Sequence, residues 1–350
     1  MPWIGLGAPS ASTKRRHGHT GRRPGSECQA QEPGETMKRF WTVTCALAFA
    51  LALSPAQAWE PKKPIRVIIG YGAGGSTDAI GRLMLKKIEE QKGWKFIVEN
   101  KSGAQGALAA IEVKNAPADG SVLGLLSTGN FALDPFLTKS SQYMPEDLDY
   151  VGTIGKIEYA LIAAKDAPYN NLAELAAHTK KNGPISFSST GKILDLAMER
   201  VSDKLGIAFV SAPTSGSAQS LQLVLGGHAN VTISGGVHVP YVQSGKLKVI
   251  AVMTGARADY APEVGTSLEQ GGGFSIENYF LLVAPKNLPA DARKAIADAI
   301  DDAVKSPEIG DYAAKTFNTR VNLGAKGSTD DVMAQSRAWR EWLPNSKLAK

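Results

Sequence analysis

The most informative stretch of the chain is residues 65–78, which read IRVIIGYGAGGSTD. Its first five residues are mostly β-branched and apolar, which is typical of a buried strand. The glycines that follow lead into a helical pattern whose apolar face is formed by Ile80, Leu83, Met84 and Ile88. A glycine loop at this position directs backbone N–H groups and the positive end of a helix at one point. The stretch therefore predicts an anion site, at which Ser76 or Thr77 caps the helix and offers a hydroxyl.

Two other interpretations of this loop stay open. One is a plain strand-to-helix turn whose serine and aspartate only cap the helix. The other is a dinucleotide site, because Gly70, Gly72 and Gly75 fit the pattern G-x-G-x-x-G, and Glu99 stands where a ribose-binding acid belongs. Export of the chain, which its N-terminus indicates, counts against the dinucleotide site, because a nicotinamide enzyme outside the cytoplasm lacks a ready supply of its cofactor.

Short β-rich runs alternate with helical patterns along the rest of the chain. The runs lie at residues 65–69, 95–98, 121–126, 160–163, 185–188, 231–233 and 247–252. Such alternation predicts an α/β architecture with mainly parallel sheets. The 43% hydrophobic and 21% charged residues are ordinary for a globular protein, and the length allows one large domain or two lobes.

The N-terminus predicts export. Residues 37–58 combine a basic start at Lys38 and Arg39, a short apolar run and a small-x-small ending at Ala58, which is the pattern of a signal peptide. The apolar run falls short of the roughly 20 residues that span a bilayer, so a retained anchor is the less favoured alternative. Residues 1–36 are interpreted as a mis-called extension. Both cysteines, Cys28 and Cys45, precede the cut, which excludes disulfides and thiolate chemistry from a mature chain that begins at Trp59.

Charge and motifs exclude several function classes. The net charge is +6, but residues 1–58 hold seven Lys or Arg and three acids, so the remainder is near neutral and a nucleic-acid partner is not expected. No serine has the glycines of a nucleophile elbow. His178, His228 and His238 are isolated in sequence, so we expect surface or capping residues rather than metal ligands. The sequence predicts no catalytic residue, metal or cofactor.

Further segments carry a family resemblance through their order and spacing. With residues 64–78 they are Val98–Gly106, Ala118–Gly120, Ser188–Gly191, Leu225–His228, Ser244–Val252 and Leu281–Pro285. From about Pro61 to Trp339 the chain resembles the Bug/TctC family, the extracytoplasmic solute-binding receptors of tripartite tricarboxylate transporters.

The resemblance implies an α/β, two-lobed type II periplasmic-binding-protein fold, known as a Venus flytrap, with a ligand cleft between the lobes. Lobe 1 would comprise residues 59–158 and 278–350, and lobe 2 residues 159–277. A small organic acid would be held in the periplasm by amides, hydroxyls and water, and delivered to the membrane subunits of a transporter. We expect a monomer without enzymatic activity. A carboxylate sensor that acts with a histidine kinase stays open, because its binding chemistry would be the same, and an exported dinucleotide-binding enzyme is less favoured.

The resemblance also implies ligand-binding residues in loops that follow strands. In lobe 1 they are Tyr71, Gly74, Gly75, Ser76, Thr77, Asp78, Ser127, Thr128 and Asn130. In lobe 2 they are Ser188, Ser189, Thr190, Gly191, Lys192, Thr214 and Ser215. Asp78 is expected to orient its loop rather than touch an anion, because two carboxylates repel. A solvated loop remains the alternative at residues 127–130 and 188–191.

Three segments depart from the family pattern. Lys192–Leu196 replaces small polar residues and a His-Leu pair, and Lys192 is interpreted either as a partner for a second ligand carboxylate or as a surface lysine. Residues 212–218 lack the family's tyrosine and lysine, which predicts a changed or roomier pocket. Residues 234–238 replace an Asp-rich or Asn-rich stretch. These departures leave the identity of the acid open.

Overall fold

The computed structural model describes residues 59–137 and 141–345. The predictions for residues 1–36, for the signal peptide at 37–58, and for Cys28 and Cys45 lie outside the described residues. Within the described ranges, no helix has the length and apolar character needed to cross a bilayer.

The first sheet has six strands. In chain order they are β1 (Ile65–Ile69), β2 (Phe96–Asn100), β3 (Val122–Ser127), β4 (Leu148–Lys156), β10 (Tyr279–Pro285) and β11 (Thr319–Arg320). Their spatial order is β11-β4-β10-β3-β1-β2. The helices that belong to the same parts of the chain are α1 (Ser76–Lys92), α2 (Ala107–Lys114), α3 (Gly129–Ala132), α8 (Ala290–Val304), α9 (Pro307–Thr316) and α10 (Gly324–Trp342).

The second sheet has five strands from the middle of the chain. They are β5 (Tyr159–Ala164), β6 (Ile185–Ser189), β7 (Phe209–Pro213), β8 (Val231–Gly235) and β9 (Leu247–Val252), in the order β7-β6-β8-β5-β9. The helices between them are α4 (Leu172–Asn182), α5 (Lys192–Leu205), α6 (Ser217–Leu225) and α7 (Val239–Gln243). Two sheets built from alternating strands and helices confirm the α/β class.

The prediction of mainly parallel sheets is wrong. Strands β1, β2 and β3 pair in parallel, as do β6, β7 and β8. Strand β10 instead runs antiparallel to β3 and β4, and β5 runs antiparallel to β8 and β9. The reason is that β5 and β10 arrive from the other sheet, so the right-handed crossover helix that makes neighbouring strands parallel does not precede them.

The chain passes between the sheets at residues 156–159 and 252–279, and the two passages are bonded to each other. The Ile157 N–H donates to the Asn278 carbonyl at 2.8 Å, and the Met253 N–H donates to the Tyr159 carbonyl at 2.8 Å. The two connections therefore lie side by side where the chain passes between the sheets. The lobe boundaries given above stay a prediction.

Close packing fixes the helix that follows the glycine loop. The apolar face of α1, which includes Ile80, Met84 and Ile88, is buried against the first sheet. Gly81 brings the helix so close that a Cβ there would lie 2.2 Å from Leu125 Cδ2 on β3. Because α1 cannot slide along the sheet, its N-terminal residues have a defined position at the end of β1.

Candidate functional site

The glycine loop joins the two halves of the chain. Its Gly72 N–H donates to the Ser215 carbonyl at 2.7 Å. The Ser76 N–H donates to Ser217 Oγ at 3.1 Å, and the Ser76 hydroxyl donates to the Gly235 carbonyl at 2.5 Å. The partners are Ser215 in the loop before α6, Ser217 at the start of α6 and Gly235 at the end of β8, so the cleft between the sheets is closed at this point.

Two helix N-termini line one cavity in this cleft. Residues 75–77 begin α1 on one side, and residues 190–193 begin α5 on the other. The first backbone bond at each start is from Ala79 N–H to the Gly75 carbonyl and from Leu194 N–H to the Gly191 carbonyl, both at 3.0 Å. The amides that precede these bonds have no partner within their own helix. Both positive helix ends therefore favour an anion in the space between them.

A hydrogen-bonded network of neutral groups forms one wall. The Tyr71 hydroxyl donates to Asn130 Oδ1 at 2.6 Å and lies 2.9 Å from Ser127 Oγ. The Ser127 N–H also donates to Asn130 Oδ1, at 3.0 Å. Because the amide oxygen of Asn130 is thus used by donors, its NH₂ group must point the other way. Burial raises the pKa of Tyr71, so its hydroxyl stays protonated.

The NH₂ group of Asn130 donates to Asp134, at 3.0 Å from Nδ2 to Oδ2. Burial raises the pKa of Asp134 to about 7, although this hydrogen bond and the charge of Lys192 both lower it. Asp134 lines the cavity but is absent from the residues predicted from the sequence. Sequence analysis missed Asp134 because Leu133-Asp134-Pro135 is typical of an ordinary turn. The only local signal is the spacing of four residues from Asn130, which would bring the two side chains together on a helical turn.

The passages between the sheets supply the floor of the cavity. Asn278 donates from Nδ2 to the Tyr159 hydroxyl at 2.9 Å, and its Oδ1 accepts from the Gly129 N–H at 3.0 Å. Other lining residues not predicted from the sequence include Ile157, Ile233 and Phe280. The sequence holds no local signal for most of them, because they meet only after the chain has crossed between the sheets twice.

Most residues predicted for the site line this cavity or the adjoining one. The first cavity is lined by nine of them, Tyr71, Gly75, Ser76, Thr77, Ser127, Asn130, Thr190, Gly191 and Lys192. A larger neighbouring cavity is lined by Lys192, Thr214 and Ser215, and it shares Asp134 and Lys192 with the first. The volumes are about 40 Å³ and about 720 Å³. Because a water needs about 10–15 Å³ by this measure, the smaller cavity has room for about three water-sized groups.

Five predicted residues line neither cavity and instead hold the loops. Gly74 adopts a φ of +75°, and its N–H donates to Asp78 Oδ2 at 3.0 Å. Burial opposes the ionisation of Asp78, but hydrogen bonds from this amide, Asn100 and Arg82 lower its pKa below the usual value. Thr128, Ser188 and Ser189 are buried, and the two serine hydroxyls donate to backbone carbonyls.

The structure disagrees with two further interpretations of the sequence, which concern Glu99 and His238. The Glu99 carboxylate accepts two bonds from Arg66, at 2.8 Å and 2.7 Å, which lower its pKa, and it lies outside both cavities. A ribose-binding role for this acid therefore has no support. His238 is fully buried with Nε2 2.5 Å from the Tyr260 hydroxyl, so a surface position is wrong for it. It occupies the N-cap position of α7, as the capping alternative expects, although its side chain makes no capping bond. Among the residues that the structure describes, no cluster of His, Cys, Asp or Glu fits a metal ion.

Comparison with known proteins gives consistent results. Residues 80–335 match the model of the tripartite tricarboxylate transporter family receptor. A UPF0065 protein in the gbd 5' region of Cupriavidus necator is 34% identical over 274 residues, which cover 77% of this chain and 84% of that protein. The structure of the periplasmic binding protein BugD superposes with a TM-score of 0.77 at 25% identity, covering 82% and 98% of the two chains. MatC of Rhodopseudomonas palustris, solved with bound malate, superposes with a TM-score of 0.75 at 22% identity, covering 81% and 99%.

Proposed function

Because this chain belongs to the tripartite tricarboxylate transporter receptor family, we propose that it is a periplasmic solute-binding protein that captures a small organic carboxylate and delivers it to the membrane subunits of a transporter. The observation that carries this proposal is the pair of helix N-termini, residues 75–77 and 190–193, on opposite sides of one cavity. The malate bound to MatC is of the same ligand class.

The carboxylate binds between the two helix starts. Its oxygens accept from the amides of Thr77 on one side and of Lys192 or Ile193 on the other. The Thr77 hydroxyl lies alongside, while the Ser76 hydroxyl is bonded to Gly235. Amides and hydroxyls at a positive helix end stabilise an anion without an arginine, and the cavity lining holds none. The residues predicted from the sequence at these two loops are thus part of the proposed site.

Binding follows a hinge motion between two lobes, residues 59–158 with 278–350 and residues 159–277. The acid enters when the lobes are apart, and closure forms the bonds from Gly72 and Ser76 to the second lobe. A ligand drives closure because it contacts both lobes only in the closed state. A longer ligand extends from the smaller cavity past Asp134 into the larger one.

The mature protein begins at Trp59 and acts as a monomer without a cofactor. Export follows from the signal peptide predicted at residues 37–58. The surfaces that the closed lobes present together are the part that a membrane subunit would recognise, because only closure brings them into one arrangement.

A thermal-shift screen tests the proposal. The purified protein is heated with mono-, di- and tricarboxylates, aromatic acids, amino acids and NAD, and each hit is titrated by calorimetry. A ligand at 100 times its Kd stabilises the native state by about 2.7 kcal/mol, which gives a clear rise in Tm. We expect a shift with one class of acid. A shift with NAD alone would favour the dinucleotide interpretation, and a panel without any shift would contradict the proposed ligand class.

A further inference from the structure

Asp134 is an unexpected group in a cleft that is built for anions. Asp134 lines both cavities. The smaller cavity also contains the two helix starts between which the ligand carboxylate is proposed to bind. An ionised acid at this place repels a bound carboxylate and weakens its binding. A partly buried acid at this place is compatible with the proposed function if the ligand brings a positive charge or if the acid is protonated.

Among residues 59–137 and 141–345, no cation lies in contact with Asp134. Lys192, at the start of α5, faces the same cavities, but within the described residues neither side chain takes part in an ion pair at 4.0 Å or less. Lys192 is exposed at the mouth, and its charge does not offset the effect of burial on the Asp134 carboxyl. Asn130 supplies one neutral N–H.

The other titratable groups around Asp134 do not compensate its charge either. Asp195, on the same helix as Lys192, is a second acid and raises the pKa of Asp134. Tyr71 and Tyr143 face it from the glycine loop and from the segment before β4, and burial raises the pKa of both, so they stay neutral. Within the part of the chain that the structure describes, the site therefore has an acid without an ion-pair partner.

We propose that Asp134 makes the site selective for an organic acid that also carries an ammonium group. This inference rests on the proposed function, because the ligand carboxylate occupies the space between the two helix N-termini. The ammonium then lies against the Asp134 carboxylate, and Lys192 faces any second acidic group of the ligand at the mouth. The ligand class is that of amino acids, and an acidic amino acid satisfies all three groups.

Binding of such a ligand releases a proton from Asp134. The ammonium stabilises the ionised carboxylate, so the proton that the free protein holds near neutral pH leaves to buffer. With the pKa of the free carboxyl about 7, about half a proton is released per ligand at pH 7. The Kd then falls about tenfold between pH 6 and pH 8.5, because the ionised fraction of the free protein rises by that factor.

Calorimetry with matched ligand pairs tests the proposal on the whole protein. Succinate is compared with aspartate, glutarate with glutamate and propionate with alanine, since the members of each pair differ by one ammonium group. Each titration is run at pH 7 in two buffers of different ionisation enthalpy, which counts the protons exchanged. We expect at least tenfold tighter binding of one amino acid than of its partner, with proton release.

Asp134→Asn supplies the variant, because it keeps the hydrogen-bonding shape and removes the charge. We expect it to abolish the preference for the ammonium and the proton release, while a simple carboxylate binds as well as before or more tightly. Asp166→Asn, at an exposed acid of the second lobe, is the matched control and should change neither.

The outcomes separate this inference from the proposed function. Tighter binding of the simple acids, or proton uptake on binding, would overturn selectivity for an ammonium while leaving carboxylate capture intact. Amino acid binding that Asp134→Asn does not change would show that the selectivity lies elsewhere and would also overturn the inference. Silence of all six ligands would contradict the proposed function for acids of this size, and the inference with it.

Discussion

Removal of the two hydroxyls at the start of α1 tests how the glycine loop acts. In the double variant Ser76→Ala and Thr77→Ala, the Gly235 carbonyl loses the donor that lies 2.5 Å away in the closed cleft. Ser76 and Thr77 are 6% and 7% exposed, so water does not readily replace the lost groups. A buried polar group left without its partner costs about 1–3 kcal/mol.

This free energy appears in the affinity for ligand, because the bond from Ser76 to Gly235 connects the two lobes. Its loss disfavours the closed state, and the ligand also loses the Thr77 hydroxyl beside its carboxylate. A change of 1–3 kcal/mol corresponds to a Kd that rises by about 5- to 150-fold. The backbone amides remain, so binding is weakened and not abolished.

The assay is calorimetric titration of the tightest-binding acid from the screen with the wild-type protein and the double variant. Ser244→Ala is the matched control, because Ser244 is an exposed serine of the second lobe. Its Kd should equal that of the wild type. Circular dichroism establishes that each variant is folded. A folded double variant whose Kd stays within twofold of the wild type would refute a role for these two hydroxyls in ligand binding and closure.

Three other predictions concern stability. Burial raises the pKa of Asp134 to about 7, so the protonated carboxyl contributes about 4 kcal/mol to the free energy of unfolding below about pH 4. This contribution is lost as the pH rises to 7. Urea unfolding of Asp134→Asn should not show this decrease in stability. Burial lowers the pKa of His238 to about 3, so the free energy of unfolding should fall by about 3 kcal/mol as the pH falls from 6.5 to 4. An equal decrease in the stability of His238→Gln over this pH range would contradict the prediction. Gly81→Ala places a Cβ 2.2 Å from Leu125 Cδ2, so overpacking should cost about 1–3 kcal/mol; an unchanged Tm would show that α1 can move away from the sheet.

The sequence predicts best where the structure depends on local chemistry. The glycine loop at residues 70–75 is recognisable because glycines between a strand and an amphipathic helix have few other structural explanations. Strands β1 and β9 have the predicted bounds, since both are short apolar runs between clear breaks. The family and the two-lobed α/β fold are likewise confirmed, through segments spread from about Pro61 to Trp339.

The sequence fails where structure depends on residues distant in the chain. The antiparallel strands β5 and β10 look like any apolar run, and their direction is set by the sheet from which they arrive. His238 stands between two valines, and nothing near it in sequence shows that Tyr260 packs on its ring. The match of Gly70, Gly72 and Gly75 to a dinucleotide pattern misleads for the same reason. Glu99, the acid expected to bind a ribose, instead accepts a hydrogen bond from Arg66.

Asp134 shows the same limit within the site. An Asp-Pro pair predicts a turn, and the chain indeed forms a short 3₁₀ turn at Asp134–Phe136. Its second role arises because Asn130, one helical turn earlier, directs an N–H at it and because α5 closes over it from the other lobe. Only the closed arrangement reveals that this acid faces the proposed carboxylate site.

A crystal structure of the protein with the tightest-binding acid tests the central claim most directly. The account predicts a ligand carboxylate between the two helix starts, with its oxygens about 3 Å from the amides of Thr77 and of Lys192 or Ile193. An acid bound only in the larger cavity or on the outer surface, with residues 75–77 and 190–193 free of contacts to it, would contradict the account.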